Sequence, residues 1–591
     1  MTDAAKAAAV GTSYSILVQV LSRVITFALN AVALRFVSKE ILGLVNVRLQ
    51  LLYTTTLFLA REPFRKACIR IVHGNAQWRQ VQNLLWASPL AGAALASLAA
   101  WAWLRIDDGA SAVAGATQYA AAVAMFATGA VVELLSEPLY IYAKAHLFVR
   151  LIAAVEAAAA VSRGLYVILV LAPGGGGAHT PDPLMAFSRA QLLYSCVVCV
   201  AYYAYFAVRF GGGATTGAPA LRDLFPRHPR GTNEPWVEPG RVRMVTSFVK
   251  QGVLKQMLTE GERYVMTFFA AVPLAEQGVY DVVQNLGSLV ARFLFKPVEE
   301  NYYVLFNKTF PRSMEGDGGE EDDEGGANND PPGEAAAARR QRAAGFGALC
   351  ALVKLMALVG ATFASFGPNY AALLLELYGG RVLSDGPGPG LLRMYSVYVL
   401  PMAVNGITEC FFFAVAPRAY LDYYNRVQVG ITAAFLAVAW VATQQFGCAG
   451  FIVANGVNML LRVAHHARFI RRFARARGML HTLRTALPST PVLITFAVAF
   501  AVTRFTEQRM YRPRWSSNLE LTPWLTGCAM HVGAGVAMLS MVGAALVSTE
   551  RRFLGHLNAL RKGDTMALLS SGTEDGNDGR CDAGVSNKKD D

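Results

Sequence analysis

The chain has 591 residues, of which 54% are hydrophobic and only 16% are charged, and its formal net charge is +13. Soluble domains have about one-quarter charged residues, so this composition excludes an ordinary soluble protein and indicates a polytopic membrane protein. The positive charge predicts no nucleic-acid partner, because an uneven distribution of Lys and Arg among the loops of a membrane protein explains it.

Apolar stretches recur along the chain, and an α-helix of about 17–25 residues is long enough to cross a hydrocarbon core of about 30 Å. The predicted spans are 11–34, 41–60, 81–104, 117–143, 147–171, 184–208, 244–271, 277–306, 343–366, 391–416, 425–446, 448–470, 490–505 and 524–548. The predicted fold is therefore an all-α polytopic membrane protein with about 14 spans.

Basic residues are concentrated after the even-numbered predicted spans. Three of these loops carry Arg61, Arg65, Lys66, Arg70 and Arg79; Arg209, Arg222, Arg227, Arg230, Arg241 and Arg243; and Arg468, Arg471, Arg472, Arg475, Arg477 and Arg484. The positive-inside rule therefore predicts that both termini are cytosolic. The loop after 490–505 is an exception, because its arginines would be lumenal, so the topology of the last helix pair is left open.

Two polar stretches and a faint internal repeat predict how the chain is divided. Residues 209–243 are rich in Gly, Pro and Arg, and 311–342 contain an acidic run, MEGDGGEEDDEGGANNDPPGE, typical of a disordered loop. QVLSR at 19–23 matches QGVLK at 251–255 six predicted spans later, and the surroundings of Glu133 match those of Glu409. The predicted domains are an N-terminal six-helix lobe (1–208), a cytoplasmic linker (209–243), a C-terminal six-helix lobe (244–475) with the acidic loop, an extra helix pair (476–550) and a cytoplasmic tail (551–591).

The seventh predicted span carries five charged residues at membrane depth, which are Lys250, Lys255, Glu260, Glu262 and Arg263. Inserting three central charges costs about 8–10 kcal/mol, whereas the Val, Leu and Phe residues of this segment return about 2–4 kcal/mol. We therefore expect much of the helix to face protein or water. At about 100° per residue Lys255 and Glu262 share a face, and Glu260 and Arg263 are spaced to pair.

The eighth predicted span continues this pattern. It contains Asp281, Arg292, Lys296, Glu299 and Glu300, and Pro297 should kink or break the helix just before the two glutamates. Other spans contain Arg23, Glu133, Glu137, Glu156, Arg163, Arg189, Lys354 and Glu409. Together these residues predict a polar internal cavity whose Arg and Lys suit a phosphate or diphosphate headgroup. A set of structural ion pairs within a helix bundle is the alternative interpretation.

Motifs for catalysis are missing from the sequence. It has no G-x-x-x-x-G-K-[ST], H-E-x-x-H or G-x-S-x-G. Cys196 and Cys199 form a C-x-x-C on an apolar helix, where packing is the expected role. His465 and His466 lie beside arginines, and we do not expect them to bind a metal. The sequence therefore predicts a protein that is not an enzyme and needs neither a metal nor a cofactor.

Six stretches place distinctive polar blocks inside or beside apolar spans. They are LAREPFRKACIR (59–70), VVELLSEPLYIYAKAHLFVRL (131–151), 249–269, 277–306, 398–416 and GFIVANGVNMLLR (450–462). These blocks resemble the Rft family, the oligosaccharide-diphosphodolichol translocation proteins of the endoplasmic reticulum, and the resemblance covers most of the chain. It implies the fold of a superfamily of multidrug and lipid-linked-oligosaccharide exporters, with two six-helix lobes around a central cleft, here with two extra C-terminal helices. Pro63 and the acidic insert at 315–334 depart from the usual pattern.

The resemblance implies that the protein flips a membrane lipid, five-mannose heptasaccharide diphosphodolichol, for N-glycosylation. We expect Arg23, Lys255, Arg263 and Arg292 to attract the diphosphate, Glu260, Glu262, Glu299 and Glu300 to balance or gate these cations, and Arg61, Glu62 and Arg65 to make first contact at the cytoplasmic mouth. Two other functions stay open: a non-transporting scaffold for the N-glycosylation machinery, and an ion-coupled small-molecule exporter.

Two short motifs concern location and topology. The chain ends in NKKDD, so Lys588 and Lys589 match the dilysine signal by which coat proteins retrieve endoplasmic-reticulum membrane proteins, provided that the tail is cytosolic. Asn307 begins an N-glycosylation sequon, N-K-T, but the predicted topology places it at the cytosolic end of the eighth span. We therefore expect Asn307 to be unmodified.

Overall fold

Helices make up all the regular structure that is observed. The computed structural model describes residues 21, 24–68, 75–106, 110–146, 148–172, 182–211, 225–226, 235–269, 272–310, 332–514 and 521–562. Within these ranges the chain forms helices of several types and no β-strand. The predicted all-α fold class is confirmed.

The first part of the chain alternates long apolar helices with shorter ones. The helices are α1 (Val24–Phe36), α2 (Lys39–Cys68), α3 (Asn75–Leu85), α4 (Ala87–Arg105), α5 (Ala116–Leu135), α6 (Glu137–Ala145), α7 (Val149–Leu171), α8 (Pro183–Gly211) and α9 (Pro239–Phe269). Within α2, Leu44–Leu49 form a π-helical segment, and the short helix Ala110–Ala114 precedes α5.

The second part contains the longest helix described. Its helices are α10 (Leu274–Gly287), α11 (Lys296–Thr309), α12 (Pro332–Gly379), α13 (Gly388–Val415), α14 (Arg418–Phe446), α15 (Ala449–Ala476), α16 (Thr490–Met510), α17 (Leu521–Thr549) and α18 (Arg551–Lys562). A π-helical segment, Ala291–Phe295, precedes α11, and the 3-10 helix Leu480–Ala486 precedes α16.

Among the described residues, 10 helical stretches are long and apolar enough to cross a membrane. They lie in α2, α3–α4, α5, α7, α8, α12, α13, α14, α16 and α17. Four predicted spans are not among them. Part of 11–34 lies outside the described residues, and 244–271, 277–306 and 448–470 contain several charged and polar residues. A multi-spanning membrane protein is therefore confirmed, whereas the total of about 14 spans stays a prediction.

The chain forms two compact units that are interleaved along the sequence. Unit 1 comprises residues 1–283, 374–391 and 436–451, and unit 2 comprises 284–373, 392–435 and 452–591. The two predicted six-helix lobes and the linker between them remain predictions.

In unit 1, α2 is the helix around which the others pack. It contacts α4, α5 and α9, while α8 packs against α5 and α7. At the start of α2, Gly43 meets Gly278 of α10 backbone to backbone, and a Cβ on Gly278 would overlap the Lys39 carbonyl oxygen. Any larger residue at Gly278 would push the two helices apart.

Unit 2 has an aromatic core and a separate aliphatic one. Phe411 makes edge-on ring contacts with Phe306, Phe310 and Phe473. The C-terminal helices α16, α17 and α18 pack with α12 around a mainly aliphatic cluster, to which Phe496 also belongs. The extra helix pair is therefore joined to unit 2 by a continuous hydrophobic core.

Two local predictions differ from the structure. Residues 332–342, which were expected to be disordered, begin α12, because AAAARRQRAA at 335–344 consists of strong helix formers. The break expected near Pro297 takes the form of the π-helical segment, after which α11 begins with Pro297 in its first turn, a position that proline tolerates. The acidic run at 315–330, Arg23, Lys588 and Lys589 lie outside the described residues.

Candidate functional site

The junction between α5 and α6 places two glutamates opposite α2. α5 ends at Leu135 and α6 begins at Glu137, with Ser136 between them and Pro138 in the first turn of α6. The Ser136 hydroxyl donates to the Glu133 carbonyl at 2.7 Å, satisfying one of the groups that a helix end leaves without an intrahelical partner. Both Glu133 and Glu137 are buried.

These two carboxylates hold the predicted site residues Arg61 and Arg65. Glu133 accepts hydrogen bonds from the Arg61 guanidinium and from the Tyr53 hydroxyl. Glu137 lies 3.1 Å from Arg61 Nε and accepts a hydrogen bond from Arg65 Nη2 at 2.9 Å. Two guanidiniums therefore balance two carboxylates, and charge-assisted bonds of this kind are strong where water is excluded.

This pairing does not favour the role expected for Arg61 and Arg65 as first contacts of a diphosphate. An anion that drew either arginine away would leave a buried carboxylate without its partner, which is costly. Arg65 is further fixed by stacking 3.9 Å from the centroid of the Tyr140 ring. Glu62, by contrast, is partly exposed and lies 3.6 Å from Lys66. The first-contact role of the three residues stays a prediction.

Arg263 on α9 is also bound by carboxylates. Its guanidinium lies 3.1 Å from Glu260, so the predicted pairing of these two residues at i, i+3 is confirmed. A second bond, from Nη2 to Asp281 at 2.8 Å, joins α9 to α10. Glu262 on the same turn accepts a hydrogen bond from the Tyr280 hydroxyl at 2.7 Å. Glu262 and Arg263 therefore fasten α9 to α10.

Lys255 differs from these arginines because no carboxylate of the described residues pairs with it. The side chain is exposed, and its ammonium group lies 5.6 Å from the centroid of the Phe58 ring on α2. Lys255 and Glu262 lie two turns apart on α9 and contact different helices, Lys255 α2 and Glu262 α10. Lys255 can bind an anionic headgroup without breaking an existing ion pair.

Arg292 in unit 2 is the second predicted cation that stays exposed. It belongs to the π-helical segment before α11, and its Nη2 donates to the Asn285 carbonyl at 2.6 Å. Nearby on α11, Lys296 and Glu300 lie 3.9 Å apart with both side chains mostly exposed. Exposed pairs of this kind contribute little stability, so both groups can exchange partners easily.

Glu299 lies against α13 at a glycine. Its carboxylate occupies the space that a side chain at Gly406 would need, and Cys410 Sγ donates to the Glu299 carbonyl at 3.3 Å. Glu409, on the same helix as Gly406, binds Arg462 of α15 and accepts a bond from Asn405 Nδ2 at 2.8 Å. α13 therefore carries an ion pair to α15 and a close contact to α11.

The sequence identified most charged residues at membrane depth but not their partners. Glu137 and Asp281 stood out as charged residues within spans, yet their pairing with α2 and α9 depends on contacts distant in sequence. Arg462 was not singled out, although an arginine within a predicted span is the same kind of signal. Glu133 and Glu409, which the internal repeat relates, each bind an arginine of a neighbouring helix.

The sequence model of the Rft protein family matches residues 7–559. The chain belongs to the Rft family. Among curated Rft relatives, the Man(5)GlcNAc(2)-PP-dolichol translocation protein RFT1 of Xenopus tropicalis is 39% identical over 557 residues, covering 93% of this chain and 96% of that protein. The protein of the same name from Drosophila melanogaster is 31% identical over 494 residues, covering 78% of this chain and 84% of its own length.

A solved structure of related fold comes from outside the Rft family. It is the inward-facing conformation of a multidrug-resistance MATE transporter of the MOP superfamily, with a TM-score of 0.52 and 11% sequence identity. The match covers 76% of this chain and 95% of that one. The likeness agrees with the superfamily fold that the sequence implies for Rft proteins.

Proposed function

We propose that this protein moves Man5GlcNAc2-diphosphodolichol from the cytosolic to the lumenal leaflet of the endoplasmic reticulum membrane, for protein N-glycosylation. The observation that carries the proposal is the match, over 93% of the chain, to a relative that is named as the translocation protein of this lipid. Two further observations support it. The helical fold is similar to that of a transporter, and charged residues lie in helices next to the membrane-spanning ones.

The diphosphate binds, in this proposal, to the predicted cations that are not already neutralised. Lys255 and Arg292 are exposed and have no carboxylate partner in the described part of the chain. We assign them the main attraction for the phosphates, together with Arg23. Arg263 has a supporting role, because Glu260 and Asp281 already balance its charge. The polyprenyl chain stays in the lipid while the headgroup crosses.

Acidic residues regulate access to these cations. Glu300 pairs loosely with Lys296 and can be displaced by a competing anion, whereas Glu262 binds Tyr280 of α10 and Glu260 pairs with Arg263 on its own helix. Glu299 lies at the closely packed contact with Gly406, where a movement of α11 relative to α13 would change its surroundings. We propose that these acids gate the passage, as the sequence predicts.

A second candidate is a scaffold that stabilises the N-glycosylation machinery without moving lipid. The observation that favours it is the neutralisation of Arg61, Arg65 and Arg263, which is what structural ion pairs require. The third candidate, an ion-coupled small-molecule exporter, has only the likeness in fold to a multidrug transporter in its favour. Fold likeness does not carry function from one protein to another.

The location proposed is the endoplasmic reticulum membrane, with both termini cytosolic. The basic loops support this orientation, and it would expose Lys588 and Lys589 to the coat proteins that read dilysine signals.

Reconstitution of the purified full-length chain into vesicles separates the three functions. Labelled Man5GlcNAc2-diphosphodolichol is placed in both leaflets, and the fraction that an added membrane-impermeant lectin captures is followed against protein-free vesicles. Capture of nearly all the lipid in the protein-containing vesicles, but of about half in empty ones, supports the proposal. Capture of half in both supports the scaffold. Transport of small cationic drugs without lipid movement supports the exporter.

A further inference from the structure

The end of α15 that the predicted topology places in the cytosol carries a row of exposed arginines. Their spacing of i, i+3, i+4 and i+7 places them on one face of the helix. They are Arg468, Arg471, Arg472 and Arg475. On the other face Ile470, Phe473 and Ala474 are buried. The last turns of α15 are therefore amphipathic, with a face that is purely cationic.

The first turns of α12 extend this charged face. The Phe473 ring stacks on the Phe346 ring with centroids 6.3 Å apart, so the end of α15 lies beside the beginning of α12. Exposed arginines precede Phe346 by one to two turns of α12, at Arg339, Arg340 and Arg342. Both helices thus present arginines at the same end of unit 2.

A buried ion pair brings two more segments to this end. The Lys354 ammonium group on α12 binds Glu550 at 2.9 Å, and the other oxygen of Glu550 accepts the Ser489 backbone N–H at 2.8 Å. Ser489 follows the 3-10 helix that contains Arg484, and Glu550 directly precedes Arg551 of α18. Arg484 and Arg551 are both exposed.

We name these nine residues the arginine surface. They are Arg339, Arg340, Arg342, Arg468, Arg471, Arg472, Arg475, Arg484 and Arg551. The segments that carry them, 332–346, 464–489 and 549–562, contain only two acidic residues, Glu334 and Glu550, and Lys354 neutralises Glu550. None of the four α15 arginines has a carboxylate partner in the described part of the chain.

The row of four arginines on α15 is unfavourable in the protein alone. Like charges at i, i+3 and i+4 repel, and the negative C-terminal end of the helix dipole compensates only within the last turn. A ligand that supplies several negative charges would relieve the repulsion. The number of arginines exceeds what a single diphosphate can engage, so the ligand must be a surface or a group of anions.

We propose that the arginine surface binds anionic glycerophospholipid headgroups of the cytosolic leaflet. Clusters of basic residues directly beside a membrane-spanning helix attract such lipids, and each charge strengthens binding about fivefold. Leu480 and Leu487 flank Arg484 and are themselves exposed, so this segment offers apolar side chains to the leaflet next to its charges. The proposal is independent of whether the protein moves oligosaccharide lipid.

The test measures binding of dioctanoyl phosphatidylserine and dioctanoyl phosphatidylcholine to the purified full-length protein in neutral detergent. We expect the wild type to prefer phosphatidylserine, with a preference that weakens as salt is added, because salt screens exposed charges. The variant R471Q/R472Q/R475Q should bind phosphatidylserine about 100-fold more weakly at low salt. The variant R471K/R472K/R475K, which keeps the charges, should retain most of the binding.

A matched control removes three exposed arginines from elsewhere, in R105Q/R509Q/R512Q, and should keep wild-type binding. Thermal unfolding without lipid shows whether each variant is folded. Equal affinity of the folded wild type for the two lipids would overturn the proposal. It would point instead to the acidic run ahead of α12 as the occupant of the arginine surface. A folded R471Q/R472Q/R475Q variant with undiminished phosphatidylserine binding would also overturn it.

Discussion

Arg263 on α9 donates a hydrogen bond to Asp281 on α10 at 2.8 Å, and the Asp281 side chain is only 4% exposed. The same guanidinium binds Glu260 one turn earlier on α9. Charges that are costly at membrane depth thus join neighbouring helices. In unit 1, three of the cations that the sequence assigned to ligand binding form such ion pairs.

Asp281→Asn should destabilise the protein more than Glu260→Gln. Asp281 is buried and joins two helices, so its loss leaves a partly buried guanidinium under-compensated, at a cost of about 3 kcal/mol. Glu260 lies on the same helix as Arg263, and its loss should cost about 1 kcal/mol or less. Unfolding of the purified variants by denaturant in mixed micelles measures both. Equal losses would show that Asp281 has no special structural role.

Glu137→Gln should be more damaging than a change at either of its arginines alone. Glu137 is 1% exposed and lies within bonding distance of both Arg61 and Arg65, so a neutral amide removes two charge-assisted contacts. In a double-mutant cycle, Glu137→Gln and Arg65→Gln should show a coupling energy of about 1–3 kcal/mol. Additive effects of the two substitutions would contradict the pairing.

Glu550 should make stability depend on acid pH. Burial alone would raise the pKa of Glu550, but the Lys354 ammonium group and the Ser489 N–H hold it below the ordinary value of 4.5. A carboxylate whose pKa is lower in the folded state contributes stability above about pH 4.5, and this is lost as the pH falls through the folded-state pKa. Melting temperatures between pH 7 and pH 3.5 should therefore fall less steeply for Glu550→Gln than for the wild type. A parallel decline in both proteins would contradict this role.

Asn307 should carry no glycan in cells. The predicted topology places it on the cytosolic side, and its amide donates to the Tyr303 carbonyl at 2.8 Å within α11. Treatment with endoglycosidase should leave the electrophoretic mobility of the wild type unchanged and equal to that of Asn307→Gln. A shift in the wild type alone would place this end of α11 in the lumen and reverse the topology.

Local rules predicted the local part of this structure. The i, i+3 spacing of Glu260 and Arg263 is a property of any helix, and the pairing was found where expected. Composition and hydropathy were enough for the all-α membrane fold. By contrast, the partners Asp281 and Glu137 depend on how distant helices pack, which spacing along one helix cannot specify. The disorder predicted for 332–342 was wrong because the helix propensity of AAAARRQRAA outweighs the acidic run that precedes it.

The candidate site was predicted only as a set of charges. Because a charge in a membrane is energetically costly, Lys255, Arg263 and Arg292 are expected to face protein or water. This argument does not distinguish a cation that binds a ligand from one that forms an ion pair within the protein. The structure makes that distinction for Arg263, which has two carboxylate partners. Lys255 and Arg292 remain exposed, and they are the described residues to which the proposal assigns the diphosphate.

The rate of Man5GlcNAc2-diphosphodolichol movement in vesicles that contain pure wild type, Lys255→Ala or Lys250→Ala tests the central claim most directly. Lys250 is the matched control, since it is an exposed lysine on the same helix. A bond between an ammonium group and a phosphate contributes about 1.5–3 kcal/mol, so we expect Lys255→Ala to slow movement about 10- to 100-fold while Lys250→Ala stays near wild type. Equal rates for Lys255→Ala and wild type, or no movement by the pure wild type, would contradict the account.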